Sequence, residues 1–293
     1  MSTSPQRTLK DYFGIGLRGF LMGVADIIPG VSGGTMAFIL GIYDELIDSI
    51  RAVIPFLKDL LKLNIRQAFA DLPWRFLLAL GLGIGAAILS LARFMHWALE
   101  NHPTPVYAVF FGLIVASVYV VRNRVRTWTP LNLIIAALTA LGAYILVGLT
   151  PTQTPEALWF IFLSGALAIC AMILPGISGA FILVLLGKYQ YILGALNALN
   201  IPVILVFMAG AAVGILSFAN LLRWLLNHYH DLTVAALVGF MLGSLRKLWP
   251  WKDAAEVNIL PGAFNSEVAL AIGLMLAGFA AVIIIEYLAE HRK

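Results

Sequence analysis

Six long stretches of the chain carry almost no charge: Phe76–Leu99, Val106–Val121, Leu131–Leu149, Val203–Leu225, Val234–Leu245 and Val268–Tyr287. Their apolar residues run on continuously instead of alternating, which predicts helices rather than strands. Several reach the roughly 17–25 residues that cross a hydrocarbon core, and the shorter ones extend into neutral flanks. Two further apolar blocks, 12–48 and 157–197, are each broken by a Pro-Gly pair, Pro29-Gly30 and Pro175-Gly176. The expected architecture is an all-α polytopic membrane protein with about six full crossings and two re-entrant or broken helical hairpins.

Composition agrees. Of 293 residues, 61% are hydrophobic and 12% charged, against about 25% charged in a soluble domain. The polar opening Met1–Lys10 has no apolar core, so no cleavable signal is expected. A single cysteine, Cys170, excludes a disulfide within the chain and reads as a small buried hydrophobe. The net charge of +4 is not a nucleic-acid signal, because the basic residues follow a membrane pattern. Arg7, Lys10 and Arg18 open the chain, Arg51 to Arg75 follow the first block, and Arg122, Arg124 and Arg126 crowd one loop. With the N-terminus inside and each apolar segment crossing once, 14 of 19 basic residues lie on the cytoplasmic side. This predicts a multi-pass membrane protein with both termini cytoplasmic.

The chain also repeats itself. PGVSGGTMAFILGIY runs from Pro29 to Tyr43, and PGISGAFILVLLGKY from Pro175 to Tyr189. An offset of 146 aligns Gly30 with Gly176, Ser32 with Ser178, Gly33 with Gly179 and Tyr43 with Tyr189. Further on, an offset of 127 aligns Ile88-Leu89-Ser90 with Ile215-Leu216-Ser217, because the basic stretch 51–75 is shorter in the second copy. Three crossings separate the two phrases. An odd number inverts the second copy, the arrangement of many transporters that bind substrate at the repeat interface. Residues 1–10 form a cytoplasmic tail. Residues 11–125 form the first repeat, with hairpin 12–48, basic segment 51–75 and two crossings. A connecting crossing spans 126–155. The second repeat, 156–250, holds hairpin 157–197 and two crossings, and 251–293 supplies the last crossing and the C-terminus. Dipping is favoured over crossing for the hairpins: Val31–Tyr43 is 13 residues, about 20 Å of helix, too short for a core of about 30 Å.

Proline ends a helix, because it lacks the amide donor and its predecessor avoids α geometry. Pro29, Gly30, Pro175 and Gly176 therefore mark the hairpin breaks. Ser32 and Ser178 are good N-caps for the helices that follow. A helix N-terminus opened inside the membrane presents free amides and the positive end of the dipole, an anion site. Ser32, Gly33, Gly34 and Thr35, with Ser178 and Gly179, become the candidate cradle for an anion such as phosphate. The bland alternative is a tight hairpin whose glycines serve only packing. Intramembrane ionisable residues are few and count as functional candidates. Arg18, Arg93 and Arg223 are candidate partners of the anion, and Asp26 is a candidate for coupling or support. The competing readings are an Arg18–Asp26 structural pair and arginines snorkelling to an interface. Tyr43 and Tyr189 read as interface anchors. No histidine pair has metal-ligand spacing, and nothing calls for a cofactor.

Gly30-Val31-Ser32-Gly33-Gly34 fits a nucleophile-elbow pattern and resembles the rhomboid protease serine. The second copy breaks the elbow pattern, and a serine nucleophile needs a base. His96 is the histidine inside a crossing.

The run Gly23-Val24-Ala25-Asp26-Ile27-Ile28-Pro29-Gly30-Val31-Ser32-Gly33-Gly34-Thr35 resembles the bacterial polyprenyl-phosphate transporter family. So do Ile173-Leu174-Pro175-Gly176-Ile177-Ser178-Gly179 and Leu40-Gly41-Ile42-Tyr43. The resemblance extends more loosely over nearly the whole chain. It implies a flippase that returns undecaprenyl phosphate, the carrier lipid of cell-wall and surface-polysaccharide precursors, to the cytoplasmic leaflet. It implies no catalytic residue, no cofactor and no partner beyond that lipid and the membrane; an oligomer is possible but not indicated. Two alternatives stay open: a transporter of a small soluble anion, and an intramembrane serine hydrolase.

Overall fold

The computed structural model describes residues 7–27, 32–253 and 257–290. Pro29 and Gly30, the first expected break, lie outside the described residues. Among those described, the fold is helical, with one isolated bridge between Lys252 and Asn258. The first half holds α1 (Leu9–Ile27), α2 (Gly33–Ile39), α3 (Tyr43–Arg51), α4 (Val53–Leu61), α5 (Ile65–Asp71), α6 (Trp74–Asn101), α7 (Pro103–Arg122) and α8 (Pro130–Leu146). The second holds α9 (Leu158–Ile173), α10 (Gly179–Leu185), α11 (Tyr189–Asn197), α12 (Ile201–His228), α13 (His230–Leu248) and α14 (Ser266–Glu290).

Among the described residues, α6, α7, α12 and α14 are each long and apolar enough to cross a membrane. Helices α10 and α11 reach that character together but are bent by 102° at their junction, so they form a broken span or a re-entrant loop. Helices α8 and α9 are shorter, with 17 and 16 residues. Two of the six expected crossings, Leu131–Leu149 and Val234–Leu245, fall on α8 and α13, outside the four long apolar helices.

Small residues set the packing. Gly19 lies on the backbone of Leu80, and Gly23 on that of Ile84. The contacts advance together, so α1 and α6 run side by side in one direction. In the second half Gly210 lies on Phe162 and Gly214 on Ala166, giving α12 and α9 the same relation. Such close approach lets backbones touch where no hydrophobic drive separates helix from lipid. The last helix of each half is exchanged: α8 packs on α13, and α14 on α7. Each half thus contributes a helix to the other.

Candidate functional site

The two short helices follow their serines as their caps demand. Ser32 is extended and its hydroxyl accepts from the Gly34 amide at 3.1 Å. Ser178 is extended and accepts, more weakly, from Phe181 at 3.5 Å. Gly41 (φ +69°) and Gly187 (φ +64°) end the two helices in left-handed geometry that glycine adopts without strain. At the second break Gly176 has φ +92°, and a Cβ there would stand 2.9 Å from both Phe240 O and Met241 Cα.

The two motifs meet. The Ser32 hydroxyl donates to Met172 O at 2.7 Å, and the Tyr43 hydroxyl to Ile173 O at 3.1 Å. The Gly176 amide donates to Thr35 Oγ1 at 2.9 Å. The last carbonyls of a helix have no partner within it, and in a membrane no water is at hand to satisfy them. The α2 hairpin supplies hydroxyls to the end of α9. Gly34 makes this possible: an added Cβ would overlap Ile173 O and come within 2.8 Å of Met172 O. Tyr43, expected as an interface anchor, is instead fully buried, its ring 4.4 Å from that of Phe38.

One expectation needs correction. The amides at the start of α2 are not open. Asp26 Oδ1 accepts from the Gly33 amide at 2.6 Å, and the Gly34 amide is taken by Ser32. A carboxylate on the positive end of the helix dipole is favourable. At the other end, the Arg124 guanidinium donates to Phe38 O at 3.2 Å. Helix α2 therefore carries an anion at its N-terminus and a cation at its C-terminus. The offset of 146 places Met172 where the first copy has Asp26, so the second half has no equivalent carboxylate. Helix α10 is also less enclosed: every residue of α2 is buried, whereas in α10 that holds for Gly179.

The candidate arginines part company. Arg18 and Arg93 are exposed on α1 and α6, and among the described residues neither makes a side-chain hydrogen bond or ion pair, with Asp26 or otherwise. Arg223 bridges Asp44 at 3.1 Å and Asp48 at 2.9 Å. It lines a polar cavity of about 610 Å³ at the α12–α13 junction, with Arg126, His228, His230 and Asp231. Arg51 Nε donates to Asn220 at 2.9 Å, and Arg7 pairs with Glu45 at 2.5 Å. Basic groups from two other parts of the chain, Arg7 and Arg223, thus hold α3, and its own Arg51 ties it to α12. Arg124 and Tyr43 escaped the sequence reading: three arginines within five residues pointed only to topology, and a tyrosine near a loop resembled an anchor.

Among the described residues, no base bonds to the serine hydroxyl. The Ser32 proton goes to the Met172 carbonyl, and His96 is exposed and faces Glu100 at 3.2 Å. Cys170 is half-buried, its thiol toward Gly214 O.

A family model described as undecaprenyl phosphate translocase-like matches residues 22–265. The chain is 40% identical to the polyprenyl-phosphate transporter of Vibrio cholerae, over 96% of this chain and 98% of that protein. It is 31% identical to the polyprenyl-phosphate transporter of Staphylococcus aureus, over 89% and 93%. No solved structure matches the chain significantly.

Proposed function

The chain belongs to the undecaprenyl phosphate translocase-like family, and on that premise we propose that it carries a polyprenyl phosphate across the bacterial inner membrane. The direction we propose is from the outer to the cytoplasmic leaflet, with undecaprenyl phosphate as substrate, returning the carrier lipid for cell-envelope synthesis. The fold in this reading is an inverted repeat with six crossings and both termini cytoplasmic. The shared direction of α1 with α6 and of α9 with α12, and the exchange of α8 and α14, support it.

A phosphate monoester carries about −1.5 to −2 charges near neutral pH. Taking it bare into hydrocarbon is prohibitive. The cradle formed by Ser32, Gly33, Gly34 and Thr35 with Ser178 and Gly179 replaces its hydration with amides and hydroxyls. Arg18 and Arg93, without ion pairs among the described residues, and Arg223 supply charge-assisted bonds along the route. Asp26 holds the Gly33 amide while the site is empty. An arriving phosphate oxygen competes for the same donor, and two anions do not share it without cost. Asp26 must swing away or take up a proton, which couples headgroup entry to a change at α2. The prenyl tail stays in lipid.

One observation carries this reading: the first motif phrase bonds to the second at Thr35–Gly176, and to the end of α9 just before it at Ser32–Met172 and Tyr43–Ile173. The test is reconstitution in vesicles with a fluorescent polyprenyl phosphate and a membrane-impermeant quencher. Ser32→Ala, Gly33→Leu and Arg93→Ala should each slow transfer. If all three insert normally and move the lipid at the parent rate, the site is wrongly assigned. Displacement by inorganic phosphate, without dependence on chain length, would favour a soluble-anion transporter instead.

A further inference from the structure

The first half holds an element that packs on little but itself. Helices α4 and α5 have each other and the end of α3 as their main helix neighbours. Phe56 and Phe69 close the pair edge to face at 5.5 Å. The outward surface is apolar. Leu57, Leu61, Leu63, Ile65 and Phe69 are 44%, 85%, 83%, 56% and 52% exposed. Leu63 also occupies a left-handed turn position with φ 58°, where a bulky side chain is unusual. An apolar tip in a strained turn is costly in water and favourable in acyl chains.

Three of the five are followed by a cation: Leu57-Lys58, Leu61-Lys62 and Ile65-Arg66. Lys58 stands about 100° round α4 from Leu57, and Arg66 about 100° round α5 from Ile65, with Lys62 in the turn between them. Two carboxylates share the element, Asp59 and Asp71, the latter accepting from Gln67 at 2.8 Å. Trp74 and Arg75 follow at the start of the long apolar helix α6, with the guanidinium 5.2 Å from the Trp74 ring centroid. This is the pattern of an element lying in a membrane interface, with its leucines down and its cations at headgroup level.

The second half supplies an internal comparison. The triplet Leu63-Asn64-Ile65 recurs as Leu199-Asn200-Ile201. Leu199 has φ 51° and is 74% exposed, and Ile201 is 55% exposed. From Tyr189 to Leu222 there is no charged residue. The two tips share the leucine turn and differ in charge. Apolar anchoring therefore explains what they share, and the cations need a second reason.

We propose that the α4–α5 hairpin is a docking element for the phosphate headgroups of anionic phospholipids, held in the leaflet that borders Lys58, Lys62 and Arg66, while the Leu199 tip anchors in the other leaflet without lipid preference. The inference rests on the membrane-spanning reading and not on the identity of the transported lipid.

The test uses the full chain with Cys170→Ser and one new cysteine at Leu61, Leu63 or Leu199, labelled with bimane and reconstituted in phosphatidylcholine nanodiscs. Tail-nitroxide phosphatidylcholine should quench all three labels, and aqueous iodide should spare them. A minor fraction of nitroxide-labelled phosphatidylglycerol should then quench position 63 about five-fold or more above position 199, since each surface cation favours anionic lipid by about that factor. The excess should shrink as salt is raised. In a Lys58→Gln, Lys62→Gln, Arg66→Gln variant it should vanish while tail quenching persists. Equal quenching by phosphatidylglycerol at positions 63 and 199 overturns the proposal without any variant. So does iodide access to positions 61 and 63, or shielding of both by contact with a second copy. No polyprenyl phosphate enters the assay, so failed transport alongside intact enrichment would count against the transport reading alone.

Discussion

Replacing Thr35 by valine tests the contact between the two motifs with almost no change of shape. Thr35 is fully buried, and its Oγ1 accepts the Gly176 amide at 2.9 Å. Valine keeps the volume and removes the acceptor. Gly176 is itself buried, and its φ of +92° fixes the direction of its N–H, so the amide has no second partner to turn to. Leaving one buried donor unpaired costs about 1–3 kcal/mol. For a chain of this size, about 2 kcal/mol corresponds to a fall of roughly 4–8 °C in melting temperature. Thr35→Ser keeps the oxygen and loses a methyl group, a change of about 1 kcal/mol. Thermal unfolding in detergent, followed by tryptophan fluorescence, should therefore rank the parent above serine and serine above valine. Vesicle transport of polyprenyl phosphate should follow the same order. If valine is as stable as the parent, or serine is at least as damaging as valine, the hydroxyl acceptor does not hold the two halves together.

Other substitutions separate packing from charge. Gly34→Ala drives a methyl into the backbone of Ile173 and should destabilise by about 1–3 kcal/mol, whereas Gly142→Ala on α8 meets open space and should be neutral or stabilising in the same melt. Asp26→Asn keeps an acceptor for the Gly33 amide, so its melting temperature should stay near the parent's while its transport rate changes; Asp26→Leu should lose both. Arg223→Gln breaks pairs that are partly exposed, worth less than about 1 kcal/mol. Its transport should fall several-fold with little change in melting, and a melting loss with normal transport would reduce Arg223 to a strut for α3.

Much of this arrangement is legible in the sequence. Ser32 and Ser178 stand before short apolar runs, and both cap the helices that follow. The pair Pro175-Gly176 signals a break, and Gly176 adopts a backbone angle that glycine readily supplies. These are local effects, written within four or five residues. What sequence did not convey depends on distant partners. Asp26 lies seven residues from the amide it accepts, across the first break. Arg124 reaches Phe38 from a loop 86 residues away. Arg93 counts as a charge inside a crossing, but hydropathy along the chain does not tell which face of α6 it occupies. The exchange of α8 and α14 is likewise invisible to a one-dimensional comparison of the halves.

Under the inverted-repeat transport reading proposed above, the unlike residues at positions 26 and 172 have a thermodynamic meaning. In a perfectly mirrored pair of hairpins, the arrangements facing the two sides would be equal in energy, and the empty protein would divide its time evenly between them. A carboxylate clasping one hairpin and a thioether beside the other remove that degeneracy. The imbalance does no net work on the lipid, whose final distribution is set by its own gradient and by any coupled ion. It does decide on which side the unloaded carrier waits, and so which leaflet it samples first.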